Sequence, residues 1–144
     1  MTNEIIFAGF GGQGVILAGK ILALAGMSED KYVSHIPAYG AEMRGGTANC
    51  SVIVSDEEVA SPVIENPDVV VALPCDQICA ATNNPHGTNM VALSPLFKVV
   101  PGMISGVKPF EFALDEAISA RNKKFNPINI ATIEAAFNRD YEIK

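Results

Sequence analysis

The sequence predicts an α/β fold: a single domain with an open, mostly parallel, Rossmann-like sheet and flanking helices. Three observations carry that prediction. An apolar run, Ile5-Ile6-Phe7-Ala8, leads into the glycine turn Gly9-Phe10-Gly11-Gly12-Gln13-Gly14, and a small-and-aliphatic run over residues 15–25 follows it. Strand-like and helix-like segments alternate early, with helices late and no internal repeat, which is the order of a largely parallel sheet. Finally, 144 residues with a hydrophobic fraction of 49% suffice for one well-buried core, or for a subunit that hides further surface in an assembly.

Residues 4–8 read as the first strand, because continuous apolar sequence suits a strand covered on both faces. The helix after the turn is apolar nearly all round, with Lys20 its only charge, and Gly26 stands where a C-cap is expected. Residues 31–36 form the expected second strand, which Pro37 should stop. Residues 48–55 suit a third strand and Asp56-Glu57-Glu58 a charged turn; the loop with Pro62 and Pro67 leads to Asp68 and a strand over 69–73. Beyond Pro74, residues 76–82 suit a short helix and 83–87 a break. Residues 88–100 are apolar at helical spacing, with Pro95 opposing a regular helix. An amphipathic helix over 110–122 should turn Phe112, Leu114, Ala117 and Ile118 inward, and a last helix over 129–141 should be capped near Asn129.

Composition removes several function classes. A net charge of −6 argues against a nucleic-acid partner. No apolar run approaches the length of a membrane span, since Lys20, Glu29 and Asp30 interrupt the longest. The N-terminus lacks the basic flank and cleavage-like end of a signal peptide, so a cytoplasmic location is expected. Cys50, Cys75 and Cys79 are too few for a disulfide framework, an iron–sulfur run or a structural zinc site, and read as reduced, mostly buried thiols. His35 and His86 have no Glu or Cys at metal spacing, and no G-x-S-x-G or Cys/His context supplies a nucleophile. No catalytic residue and no metal ligand is therefore assigned.

Two segments carry binding chemistry. In Gly9-Phe10-Gly11-Gly12-Gln13-Gly14, glycine admits positive φ and close backbone approach, and the following helix presents free N–H groups and its positive end to an anion. A dinucleotide reader would also want an acid at the end of the second strand, but that strand ends Ile36-Pro37-Ala38. A phosphate-bearing ligand of another kind and a purely structural turn both remain open. The second segment, Tyr39-Gly40-Ala41-Glu42-Met43-Arg44-Gly45-Gly46-Thr47, should lie at the same C-terminal sheet edge. There Arg44 can take a carboxylate or phosphate in bidentate fashion, or pair with Glu42 and hold the loop.

Gly9 to Val15, Tyr39 to Ala48, Ser61-Pro62 and Pro67-Asp68, with Asn89 to Leu93 and Asn129-Ile130, closely resemble the gamma subunit of 2-oxoacid:ferredoxin oxidoreductases. The resemblance extends over nearly the whole chain, residues 1–144, as one gamma-type domain. The Glu42-Met43-Arg44-Gly45-Gly46-Thr47 form is more similar to 2-oxoglutarate or branched-chain members than to pyruvate ones. The resemblance implies one subunit, inactive alone, of a complex converting a 2-oxoacid, coenzyme A and oxidised ferredoxin to acyl-CoA, carbon dioxide and reduced ferredoxin. Thiamine diphosphate and the iron–sulfur clusters would sit in partner subunits of alpha, beta and delta type; the chain lacks a G-D-G thiamine signature and a cluster-binding cysteine run. The implied role is assembly and the coenzyme A side of the site, held by Gly9, Gly11, Gly12, Gln13, Gly14, Tyr39, Gly40, Glu42, Arg44, Gly45 and Gly46. Two alternatives stand beside it: a free-standing nucleotide or coenzyme A binding module, and the small subunit of indolepyruvate oxidoreductase. Exposed interface surface would also suit a homo-oligomer of the lone chain. One departure falls at Leu73-Pro74, where family members carry a longer stretch with a further strand. Either the chain is shortened there, or a segment is missing between 73 and 74.

Overall fold

The structure, a computed structural model, describes residues 1–40, 46–72 and 87–138. Four strands form one sheet: β1 (Thr2–Phe10), β2 (Tyr32–Tyr39), β3 (Thr47–Ser55) and β4 (Val69–Ala72), in the order β2-β3-β1-β4. Helices α1 (Val15–Met27), α2 (Thr88–Leu93), α3 (Leu96–Val99), α4 (Lys108–Ala117) and α5 (Asn126–Phe137) accompany it, with a 3-10 turn at Ala120–Phe125 before α5.

The α/β class holds, but the sheet is mixed rather than mostly parallel. β3 runs antiparallel to both β1 and β2, and only β4 lies parallel to β1. Eight residues separate the last pairs of β2 from β3, whereas a parallel return needs a crossover of a dozen or more; a hairpin is the only connection that fits. Because β1 and β2 both oppose β3, their C-terminal ends still share one edge.

Alternation along the strands decides the layers. Ile5, Phe7, Cys50, Val52 and Val54 are fully buried and face α1. α1 in turn lies under α2 and α4, and α5 packs on those two. A helix between a sheet and a second helical layer exposes little besides Lys20 and its C-terminal Met27, which explains its nearly continuous apolar sequence. Its Ile21 and Leu22 are completely buried, each worth about 1.5–3 kcal/mol over exposure. The outer helices meet on Phe97, whose ring stands edge-on to Phe110 at 5.4 Å and to Phe137 at 5.1 Å between centroids.

On the other sheet face, Ile36, Ser51, Ile6 and Val70 form one cross-strand row. Ile36, Val70 and the nearby Phe10 remain 41%, 60% and 52% exposed. The far end of the sheet is clasped by Asp56, which takes the N-terminal ammonium at 2.9 Å and Lys31 Nζ at 2.7 Å. Those partners, Lys31 first, hold its carboxyl down to about 2.

Several boundaries differ from expectation for identifiable reasons. Pro37 lies inside β2, since an edge strand tolerates a missing N–H. Gly26 is not the C-cap: α1 continues to Met27, and Gly26 instead lets the helix approach Val33 and Val54. Pro95 divides 88–100 into α2 and α3. α4 starts two residues early, so Phe110, Ala113 and Leu114 are its buried residues and Phe112 is 49% exposed. α5 begins at Asn126 rather than near Asn129. The expected helix over 76–82, Cys75, Cys79, His86 and the Leu73-Pro74 junction lie outside the described residues.

Beneath α1, His35 has no partner for its buried Nε2. Burial pushes its imidazole below the ordinary 6.5, helped by Lys20 and opposed by a hydrogen bond to the Ile16 backbone. The folded chain thus binds its proton less readily than the unfolded one. Stability from this group is complete above 6.5 and falls as pH drops below it. Urea midpoints at pH 7.5 and 5.5 should show a loss for the wild type that His35→Gln reduces; an equal loss in both would clear His35 of any part in it.

Candidate functional site

The turn after β1 is built on two left-handed glycines, Gly12 at φ 97° and Gly14 at φ 77°. Gly14 is the N-cap of α1 and has no side-chain cap, so the first N–H groups of the helix stay available for a ligand. Gln13 closes the turn on itself: its Oε1 accepts the Phe10 N–H at 2.8 Å, and its own N–H donates to the Phe10 carbonyl at 3.2 Å. Gly9 is a strand residue opposite Ala48 rather than part of the turn.

The second segment meets the first directly. Gly11 N–H donates to the Gly46 carbonyl at 2.8 Å, and Gly40 N–H to the Thr47 carbonyl at 2.9 Å. A side chain at Gly40 would press on Thr47, with a Cβ only 2.9 Å from its Oγ1. Tyr39 ends β2 at the same edge, 56% exposed. The structure therefore brings together Gly11, Gly12, Gln13, Gly14, Tyr39, Gly40 and Gly46. Glu42, Arg44 and Gly45, also expected at the site, lie outside the described residues.

One neighbour was not expected from residue chemistry. Asn89, 6% exposed in α2, packs against Gly14, where a Cβ would come within 2.8 Å of its Nδ2. Beyond it a cavity of about 230 Å³ opens between α1, α2, the 3-10 turn and α5. Its carboxamides are scattered over forty residues of sequence, and no local pattern marks them as a group.

Among the described residues no three His, Cys, Asp or Glu side chains gather as a metal site. Cys50 is a buried free thiol, pushed up to about 11 by burial, with its Sγ directed at the Val15 carbonyl at 3.5 Å. What the edge offers is an uncapped helix start, backbone N–H groups and a neighbouring cavity lined by both apolar side chains and carboxamides, in a chain that repels anions elsewhere by its net charge of −6. No described helix is long and apolar enough to cross a membrane.

Residues 4–74 match the family described as pyruvate ferredoxin/flavodoxin oxidoreductase. The ketoisovalerate oxidoreductase subunit VorA of Methanothermobacter thermautotrophicus is 56% identical over 70 residues, 49% of this chain and 15% of that protein. The 2-oxoglutarate synthase subunit KorC of Methanothermobacter marburgensis is 46% identical over 74 residues, 51% of this chain and 40% of that protein. The chain thus spans well under half the length of these curated relatives.

Solved structures extend the likeness of fold to most of the chain. The pyruvate oxidoreductase subunit PORC of Thermotoga maritima superposes with a TM-score of 0.76 at 20% identity, over 94% of this chain and 95% of that one. A 2-oxoglutarate:ferredoxin oxidoreductase from Magnetococcus marinus, solved with 2-oxoglutarate, coenzyme A and succinyl-CoA, gives 0.74 at 19% identity over 94% of this chain and 30% of that one. Over residues 4–74, the stretch holding the glycine turn and nearly the whole sheet, the chain is similar to the pyruvate ferredoxin/flavodoxin oxidoreductase family.

Proposed function

We propose that the chain is the gamma-type component of a 2-oxoacid:ferredoxin oxidoreductase complex, with 2-oxoglutarate as its 2-oxoacid. The complex would convert the 2-oxoacid, coenzyme A and oxidised ferredoxin to acyl-CoA, carbon dioxide and reduced ferredoxin. This chain would contribute assembly and the coenzyme A side of the site and turn over nothing alone. The observation that carries the reading is the Gly11–Gly46 hydrogen bond, which joins the two glycine-rich segments at one sheet edge within the stretch that matches the family. The helix start offers N–H groups to a phosphate. Thiamine diphosphate and the iron–sulfur clusters would belong to alpha, beta and delta-type partner subunits. The exposed row containing Ile36 and Val70 supports a role in assembly. Ketoisovalerate is the second reading, favoured by the higher identity to VorA than to KorC.

Gentle anaerobic purification of the tagged chain from its own cell should bring thiamine- and ferredoxin-like subunits with it. The eluate should reduce a viologen dye in a coenzyme A-dependent way, faster with 2-oxoglutarate than with ketoisovalerate, pyruvate or indolepyruvate. A lone, inactive chain would reject the reading, and a preference for ketoisovalerate would replace the substrate. In the active complex, Arg44→Ala is expected to raise the coenzyme A KM about tenfold, the effect of losing a charge-assisted bond of roughly 1.5 kcal/mol. An unchanged KM would remove Arg44 from the site.

A further inference from the structure

A groove lies at the far end of α1, about 20 Å from the glycine turn by the rise of the helix's 13 residues. It holds about 470 Å³, within the roughly 300–1,000 Å³ of small-molecule sites. Ser28 and Glu29 line it from the turn after α1, Lys108, Pro109 and Phe112 from α4, and Ser105 from the segment before α4. The turn is fixed in its backbone. Glu29 N–H donates to the Gly26 carbonyl at 3.0 Å, and Lys31 N–H returns to the same carbonyl at 3.1 Å, with Asp30 taken into the left-handed region at φ 57°. The Glu29 carboxylate is held as well, since both its oxygens accept from the Ser105 N–H, at 3.0 and 3.1 Å. A carboxylate has about four lone-pair sites, so this one can still take an ammonium.

The two helices bring opposite charge to the groove. Glu29 follows the C-terminal end of α1, the negative pole of that helix. Lys108 opens α4, whose start has no side-chain cap and presents the positive pole. Each side chain thus reinforces the helix end beside it. Phe112, one turn after Lys108, adds an apolar surface that is 49% exposed, next to the buried Pro109. A plain anion would meet Glu29 and a plain cation Lys108, and a purely apolar ligand would strip water from both charges without replacing it. A small zwitterion with an apolar body satisfies all three surfaces.

We propose that this groove binds a free α-amino acid with a large apolar side chain. Its ammonium meets Glu29 and the end of α1, its carboxylate meets Lys108 and the start of α4, and its side chain lies on Phe112 and Pro109. The site is remote from the glycine turn and does not rest on the function proposed above.

The test is a nuclear magnetic resonance titration of the isotope-labelled full chain with L-phenylalanine, which should shift the amides of Glu29, Ser105 and Lys108 saturably. Phenethylamine lacks the carboxylate and 3-phenylpropionate the ammonium; each should bind about tenfold more weakly, the effect of losing one charge-assisted bond. Glu29→Gln keeps an acceptor for the Ser105 N–H and so spares the fold. It should weaken L-phenylalanine about tenfold and leave 3-phenylpropionate no weaker. Lys108→Met keeps the apolar stem, and should weaken L-phenylalanine to a similar extent while leaving phenethylamine no weaker. Phe112→Ala should weaken all three about three- to tenfold, the factor for returning half of a phenylalanine side chain to water. Shifts that fail to saturate, shifts centred on the glycine turn, or a dissociation constant that neither charge variant moves would overturn the site. A singly charged analogue that binds as tightly as L-phenylalanine would overturn the zwitterion.

Discussion

Gly19→Ala is expected to lower the melting temperature of the chain by about 5–10 °C, from an overpacking cost at the upper end of roughly 1–3 kcal/mol. Gly19 is buried in the middle of α1, where a Cβ would overlap Cys50 Sγ and come within 3.1 Å of Val52 Cγ2 and 3.2 Å of His35 Cδ2. Alanine is the better helix former by about 1 kcal/mol, so an exposed site would gain from the same change. Here the gain is smaller than the cost of lifting a fully buried helix off three close neighbours, two of them on the central strand β3. The contact names its own rescue. Cys50→Ala removes the sulfur, and the double variant should recover at least 1 kcal/mol relative to the sum of the singles, as touching residues do. Thermal melts of the four proteins measure this directly. A neutral Gly19→Ala, or strictly additive effects, would mean that α1 and β3 are not in such close contact.

The same contact shows what could be read in the sequence. The unbroken run of Ile21, Leu22, Ala23 and Ala25 announced a helix buried on all sides, and the alternation into Val52 and Val54 announced a strand beneath it. The direction of the sheet was harder to see. Strand periodicity is the same for parallel and antiparallel neighbours, and only the shortness of the connection from Tyr39 to Thr47 excludes a crossover. The two glycine-rich segments were nevertheless expected at one edge, because β1 and β2 point the same way whichever way β3 runs. Phe112 shows the limit of helical phase: apolar spacing allowed a face through Phe112 and Leu114, whereas packing buries the one through Phe110, Ala113 and Leu114. Asn89 and Asn129 stood out only as part of the resemblance and Asn129 as an expected cap; that these two and Asn122 line one cavity left no signal, since only the fold brings them together.

Gly14→Ala should damage both the stability and the ligand affinity of the glycine turn, and more so than Gly12→Ala. Both glycines are left-handed, at φ 77° and 97°, and alanine there costs about 1–2 kcal/mol in backbone strain. At Gly12 no described residue lies within 4 Å of an added Cβ, so backbone strain is the cost that the described residues show. At Gly14 the added carbon would stand 2.8 Å from Asn89 Nδ2 and 3.1 Å from Asn89 Cβ. Asn89 is held by its bond to the Met90 N–H and is 6% exposed, so it cannot swing out into water to make room. The start of α1 must move instead, carrying with it the N–H groups that would meet the phosphates. Gly12→Ala should therefore shift the urea midpoint with a small change in coenzyme A KM. Gly14→Ala should shift the midpoint further and raise the coenzyme A KM of the complex by about tenfold or more, the effect of losing roughly one to two hydrogen bonds to a charged group. The reverse order would show that Asn89 gives way and that the helix start does not depend on it. An equal, small effect on KM from both would place the phosphates elsewhere, with the turn serving only to join β1 to α1.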